Sequence, residues 1–223
     1  MATTKVTDLI GRASIILQDA ANVRYPNAEL LKFFNDAQRE VVLNRPDANT
    51  INQSFTCATG SKQSLPSTAL RLVDVIRNEA GGRSITQIDR RLLDETLPDW
   101  HNSIADPIKK VEHFIYDSAD PKNFYVYPQA TTAMTLEIVI SAALPDVVIT
   151  NFSTDTTTIS VDDVYGNCIV DFILYRSYQK DSEYAGNSER AMMHYSAFAN
   201  ALGMKTRTDS AMDPLPILPN RSA

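Results

Sequence analysis

The side chains of this protein that could do chemistry are few and scattered. Three histidines, His101, His113 and His194, fall in separate segments, and none has a second His or a Cys three or four positions away. Local zinc sites need such spacing so that several ligands converge on one ion. The nearest pair, Glu112 and His113, is adjacent in a segment that reads as strand, where neighbouring side chains point to opposite faces. Carboxylates are more plentiful, with Asp89, Asp94, Glu95 and Asp99 in one stretch and Asp162 with Asp163 in another. Paired acids can serve general acid–base work or hold a hard cation. Here they stand before or within expected helix starts, where negative charge complements the helix dipole, and a structural role is the simpler reading. Cys57 and Cys168 lie far apart in apolar or alternating surroundings and read as buried free thiols. No G-x-S-x-G elbow, P-loop, G-x-G-x-x-G or kinase signature occurs, and Gly81-Gly82 is only a two-glycine turn. Accordingly no residue is assigned as catalytic, cofactor-binding or metal-ligating, and no cofactor is expected.

The elements that would carry any function divide into helical ends and a β-rich middle. At 223 residues the chain suits one domain, or one domain with an inserted lobe, and can bury a substantial core. A formal charge of −6 argues against a general nucleic-acid binder, which needs a clustered cationic footprint. No apolar run approaches the length of a membrane span, and residues 1–17 lack the pattern of a signal peptide. A reducing cytoplasm is the expected site of synthesis.

In the first segment Val6, Leu9, Ile10, Ala13, Ile16 and Leu17 share a helical face, with Thr3 or Thr4 as cap. A second helix is expected from Asn27, with Leu30, Phe34, Ala37 and Val41 facing inward, until Pro46 stops it. From about Ile51 to Ile149 the period becomes alternating. Ile51, Gln53, Phe55 and Cys57 lead to a turn at Thr59-Gly60-Ser61-Lys62, and Leu72 to Asn78 runs toward Gly81-Gly82. A short helix is expected at about Asp89 to Thr96. The clearest hairpin joins Val111–Tyr116 to Phe124–Tyr127 through Asp120-Pro121-Lys122-Asn123, where proline presets φ. Met134, Leu136, Ile138 and Ile140 form one side of a further strand. Ser160 and Asp163 approximate a capping box before a helix carrying Tyr165, Ile169, Phe172, Ile173 and Arg176. A break at Gly186-Asn187-Ser188 separates it from a last helix with Met192, Tyr195, Ala199 and Leu202 in register.

This order predicts an α+β fold. Residues 1–48 form an N-terminal helical pair, 49–159 an inserted antiparallel β-rich lobe with a short helix, and 160–205 a C-terminal helical hairpin that packs on 1–48. Together the two helical pairs make a four-helix body. Residues 206–223 read as an extended Pro-rich arm, since Pro214, Pro216 and Pro219 forbid regular helix while Leu215, Ile217 and Leu218 are too apolar for an ordinary solvated tail.

The hairpin carries more aromatic rings than one buried face can hold. Tyr175, Tyr178 and Tyr184 cannot all join Ile169 and Phe172, and Arg176 with Lys180 adds a charged surface one turn apart. An apolar ring with a polar tip suits an interface. Tyr175, Arg176, Tyr178, Lys180 and Tyr184, with Pro214, Leu215, Ile217 and Leu218 of the arm, are therefore the candidate partner-binding residues.

Taken in order, Asp36-Ala37-Gln38-Arg39-Glu40-Val41, Arg45-Pro46-Asp47-Ala48, Leu70-Arg71-Leu72-Val73-Asp74-Val75 and Asp120 to Pro128 resemble the head-to-tail adaptor (connector) proteins of tailed bacteriophages. The block from Tyr175 to Asn187, with Arg190-Ala191, His194-Tyr195 and Phe198, is similar as well, so the likeness runs from about Thr7 to Gly203. The resemblance implies a structural virion protein at the head–tail junction with no catalytic step. It implies a ring of copies of this chain, typically dodecameric, that docks beneath the portal protein. Such a ring continues the DNA channel to a tail or nozzle protein, and its arms reach a neighbour or the portal. The acidic balance suits a lumen through which DNA passes without being held. An enzyme, such as a metal-dependent hydrolase with acids converging on His101 or His113, and a generic cytoplasmic interaction module are the rival readings.

Overall fold

The computed structural model describes residues 2–102, 110–181, 183–184 and 186–212. The chain is mixed α+β. Its elements in order are α1 (Val6–Ile16), α2 (Asn27–Asn44), β1 (Thr50–Thr56), β2 (Gly60–Ser64), β3 (Ala69–Asn78), β4 (Thr86–Gln87), α3 (Arg90–Thr96), β5 (His113–Tyr116), β6 (Asn123–Ala130), β7 (Thr135–Ala142), α4 (Gly166–Lys180) and α5 (Asn187–Met212). Two compact units divide them: Met1–Arg45 with Leu144–Ala223, and Pro46–Ala143.

In the helical unit α4 is the central element. Its buried residues, including Cys168, Ile169, Val170, Phe172, Ile173, Leu174, Ser177 and Tyr178, run around most of its circumference. A helix apolar on nearly every side must be enclosed, and α4 touches α1, α2 and α5. The partners are amphipathic: α1 offers Val6, Leu9, Ile10 and Ala13, and α2 offers Leu30, Phe34, Ala37 and Val41. Helix α5 packs chiefly on α4, covering Ala191, Phe198 and Leu202 and leaving its outer face to solvent.

Side-chain groups fasten the connections of this unit. The Asn35 amide behaves as a strand backbone would, donating to the Val147 carbonyl and accepting from the Val147 N–H, both at 3.0 Å. Gln38 accepts from the Ser160 N–H at 2.9 Å. The start of α1 differs from expectation. Lys5 occupies the cap position without a side-chain bond. Thr3 and Thr4 do not cap α1, because Asp163 takes them: its carboxylate accepts from both backbone N–H groups and from the Thr3 hydroxyl at 2.7–3.0 Å. The local cap is made instead by Asp162, which accepts from the Val164 N–H at 3.1 Å and starts the 3-10 turn that leads into α4.

The β unit consists of a three-stranded sheet ordered β1-β7-β3 and a four-stranded sheet ordered β2-β6-β5-β4. All pairings are antiparallel except β4 with β5. The inner faces share one core, in which Phe55, Leu72, Val75, Leu136, Ile138 and Ile140 meet Phe114, Phe124 and Val126. The hairpin expected at Asp120-Pro121 is present, with Tyr116 opposite Phe124 and His113 opposite Tyr127.

Three sequence expectations are corrected here. Ser61 and Lys62 lie in β2 rather than in a turn, and β1 pairs with β7, so β1 and β2 feed different sheets. Strand β3 does not alternate: it buries Ala69, Leu72, Val75 and Asn78, every third residue, because three register shifts insert Leu70, Val73 and Ile76 against β7. Finally α5 continues through Met212, so residues 206–212 are helical and an extended arm can begin only beyond them.

Candidate partner-binding surface

The hairpin of α4 and α5 is held by rings and cations as much as by aliphatic packing. Phe172 of α4 meets Phe198 of α5 edge-on at 5.2 Å, and Tyr175 meets Tyr195 at 5.0 Å. Tyr178 stacks on His194 with an interplanar angle of 11°, while the His194 ring nitrogen Nδ1 lies 2.9 Å from an Asp171 oxygen. Guanidinium groups complete the ladder, Arg176 over Phe172 and Tyr175 and Arg190 over Tyr178, at 5.5–5.8 Å. Tyr178 thus presents its ring to α5 and is nearly buried.

The turn end of the hairpin is latched to the loop between α1 and α2. Asp181 is the hub, accepting from the Tyr25 hydroxyl and from Arg24 Nε at 2.7 Å. Burial first, and then the bond to this carboxylate, pushes the Tyr25 hydroxyl well above the usual tyrosine range. Asp19 shapes the loop by accepting the backbone N–H groups of Tyr25, Val23 and Arg24, which holds its own carboxyl below the ordinary value. Gln18 and Asn22 adopt left-handed backbone in the same loop. Lys180 pairs with Glu29 at 2.7 Å, and Arg24 lies over the ring of Tyr184 at 4.4 Å. Tyr184 itself remains largely exposed.

Of the candidate residues, the fold gathers Tyr175, Arg176, Tyr178, Lys180 and Tyr184 on one hairpin, with Tyr184 the most exposed and Lys180 in an ion pair. Pro214, Leu215, Ile217 and Leu218 lie outside the described residues. Sequence reading missed Asp181, Arg24 and Tyr25, whose convergence spans about 156 positions and has no local signature. It also missed the outer face of α5, where Met192, Met193 and Met204 are each at least 60% exposed. That face was visible in principle, since Met192 and Met193 cannot share one side of a helix.

The residues considered for catalysis or metal binding engage structural partners. His101 Nδ1 lies 2.8 Å from the Ser61 hydroxyl and the His101 ring is tilted by 31° against Trp100, while His113 Nδ1 lies 2.8 Å from the Thr86 hydroxyl. Asp89 caps α3, and Asp94 accepts from Trp100 Nε1. Among the described residues no three His, Cys, Asp or Glu side chains are grouped to hold a metal ion. Cys57 and Cys168 are buried free thiols, and burial pushes Cys57 up to about 12. No helix among the described residues is long and apolar enough to cross a membrane.

No curated protein matches the sequence. The SU10 adaptor protein family matches it over residues 4–218, which takes in both units, the latch and the hairpin. The chain therefore belongs to the SU10 adaptor protein family, a family of phage head-to-tail adaptors.

Proposed function

We propose that this protein is a structural component of the virion that forms a ring at the head–tail junction, docks beneath the portal protein and continues the DNA channel to a tail or nozzle protein. Twelve copies is the stoichiometry that the family resemblance favours. The observation that carries the reading is the family match across nearly the whole chain. The fold supports it through α5, which is covered on one side by α4 and leaves Met193 and Met204 exposed on the other, with Met192 exposed on the flank between. Exposed methionines are flexible, polarizable contacts that suit a surface another protein covers. Contacts between unlike faces of identical copies, repeated by rotation, close into a ring.

In this reading Tyr175, Arg176, Lys180 and Tyr184 contribute to contacts with a neighbouring copy or with the portal, and the segment with Pro214, Leu215, Ile217 and Leu218 reaches a partner. The net charge of −6 favours free passage of DNA over retention, because a salt-sensitive grip needs cationic phosphate contacts. The protein acts by binding and positioning, with no catalytic step. The decisive experiment is native mass measurement of the purified protein with and without purified portal protein. Ring-sized assembly or a stable portal complex is expected, and a persistent monomer without portal affinity overturns the reading.

A further inference from the structure

The sheet ordered β1-β7-β3 has two outer edges that differ in kind. At β3 the edge is broken by three register shifts and carries Arg71, Asp74 and Arg77, devices that discourage a further strand. At β1 seven consecutive pairs with β7 run without a bulge, and Thr50-Ile51-Asn52-Gln53-Ser54-Phe55-Thr56 holds neither a charge nor a proline. The other sheet ends in β2, which has a register shift, and in β4, which is two residues long. Among the described residues β1 is therefore the long and undefended edge.

Its backbone groups are open. The Cys57 N–H donates to the Met134 carbonyl at 2.9 Å, a pair that continues the β1–β7 register. Bonded and non-bonded pairs alternate in an antiparallel ladder, so Phe55, Gln53 and Ile51 direct their N–H and carbonyl groups to β7 while Asn52, Ser54 and Thr56 turn theirs away. These last three residues are exposed, and among the described residues no group bonds to their backbone. The Asn52 amide donates to Glu137 at 2.8 Å and the Ser54 hydroxyl donates to Glu79, so these side chains turn back over the sheet and leave the edge clear.

We propose that this edge receives, as an added antiparallel strand, residues 213–218 of another copy of the chain. The segment reads Asp213-Pro214-Leu215-Pro216-Ile217-Leu218. Alternate residues of an extended strand direct their backbone groups to opposite edges, so Asp213, Leu215 and Ile217 offer three N–H groups on one edge. Proline has no N–H, and Pro214 and Pro216 leave that of Leu218 alone on the other edge. A segment with one bonding edge suits a sheet that can take one more strand, and it closes the sheet to any beyond it. Six extended residues cover about 20 Å, one residue less than β1. With Asp213, Leu215 and Ile217 opposite Thr56, Ser54 and Asn52, Leu218 falls opposite Ile51, which is 42% exposed, and covers it. A strand given by another copy is a contact between unlike parts of identical chains, the kind that repeats by rotation. The inference rests on the reading that copies of this chain assemble, and it names the surface that takes the arm.

Mixtures of two full-length variants test it, each mildly oxidised alone and with purified portal protein: Leu218→Cys with Ile51→Cys, and Leu218→Cys with Asn52→Cys as the control. Ile51 and Asn52 are both exposed, and the native Cys57 and Cys168 are buried. The first mixture should give on the order of tenfold more disulfide between the two variants than the second, because a change of one residue moves the thiol to the opposite face of the sheet. Adding Leu215→Pro, which removes the N–H that faces Ser54, should lower the first yield several-fold, whereas Pro216→Ala on the outward phase should leave it intact. Equal yields for the two mixtures, no link in either condition, or indifference to Leu215→Pro would each overturn the proposal. Rings found by mass without selective linking would sink the strand pairing and leave the ring reading standing. Selective linking in a protein that forms no ring and has no portal affinity would uphold the pairing and sink the ring.

Discussion

Removing the Asp181 carboxylate should loosen the helical unit by about 1–4 kcal/mol, and the size of the loss follows from two unequal partners. Tyr25 is 3% exposed, so in Asp181→Ala its hydroxyl is left buried without its acceptor, which costs about 1–3 kcal/mol. Arg24 has a side chain 46% exposed and can return to water, so its lost ion pair adds only about 0.2–1 kcal/mol. Most of the loss thus arises from stranding the Tyr25 hydroxyl, not from removing attraction, and a double-mutant cycle separates the two. Tyr25→Phe takes away the stranded hydroxyl. The double variant should therefore be no less stable than Asp181→Ala alone, within the roughly 0.5 kcal/mol error of such cycles. Urea unfolding followed by far-ultraviolet circular dichroism reports on the helices that the latch joins. Additive losses for the two substitutions, or a loss below about 0.5 kcal/mol for Asp181→Ala, would refute the assignment of Asp181 as the hub.

Asp163 is expected to govern acid sensitivity at the start of the chain. The Thr4 backbone N–H first, then the Thr3 hydroxyl and N–H, hold its carboxyl well below the usual 3.8, so its contribution is complete above about pH 5 and disappears as pH falls through the lower folded value. Asp163→Ala should flatten that acid-side loss while leaving the pH dependence between 5 and 7 unchanged, as read by thermal unfolding across a pH series. Met193→Glu and Met204→Glu, on the exposed face of α5, should alter monomer stability by no more than about 0.5 kcal/mol yet abolish assembly with copies or portal, measured by mass. Cys57, with its thiol pushed up to about 12, should resist alkylation at pH 8 until the β unit unfolds; rapid labelling of the native protein would contradict its burial.

Helices α1 and α2 were legible in the sequence because each is amphipathic at the helical period. Of the face expected for α5, Met192, Tyr195, Ala199 and Leu202, only Leu202 is buried, and Ala191 and Phe198 pack inward with it. Leu30, Phe34, Ala37 and Val41 mark the buried face of α2 in sequence and structure alike. The β5–β6 hairpin was legible for a local reason, the turn chemistry of Asp120-Pro121. What escaped was set by distant partners. Alternation in β7 is clean from Thr135 to Ile140, whereas β3 buries every third residue because its three extra residues are defined only by pairing with β7. Asp163 looked like a local cap and instead fastens residues 160 positions away. Tyr178 looked like a surplus ring for an interface, and the ring of His194 on the next helix covers it. Local signals thus identified the elements, while the bonds that fix their ends needed the fold.

The outer face of α5 also explains why an acidic balance suits this protein. Met192, Met193 and Met204 are flexible, polarizable side chains that can fit more than one apolar partner, which is useful on an assembly surface and hazardous on a free one. Each chain carries a formal charge of −6, so two chains repel one another at long range and short-range contacts must overcome that repulsion. Such a surface favours contact only where many weak apolar contacts are made together, as in a ring or on a preformed docking site. The hairpin behind it is held by Phe172 on Phe198, Tyr178 on His194 and the Asp181 latch, so α5 does not depend on a partner for its own fold.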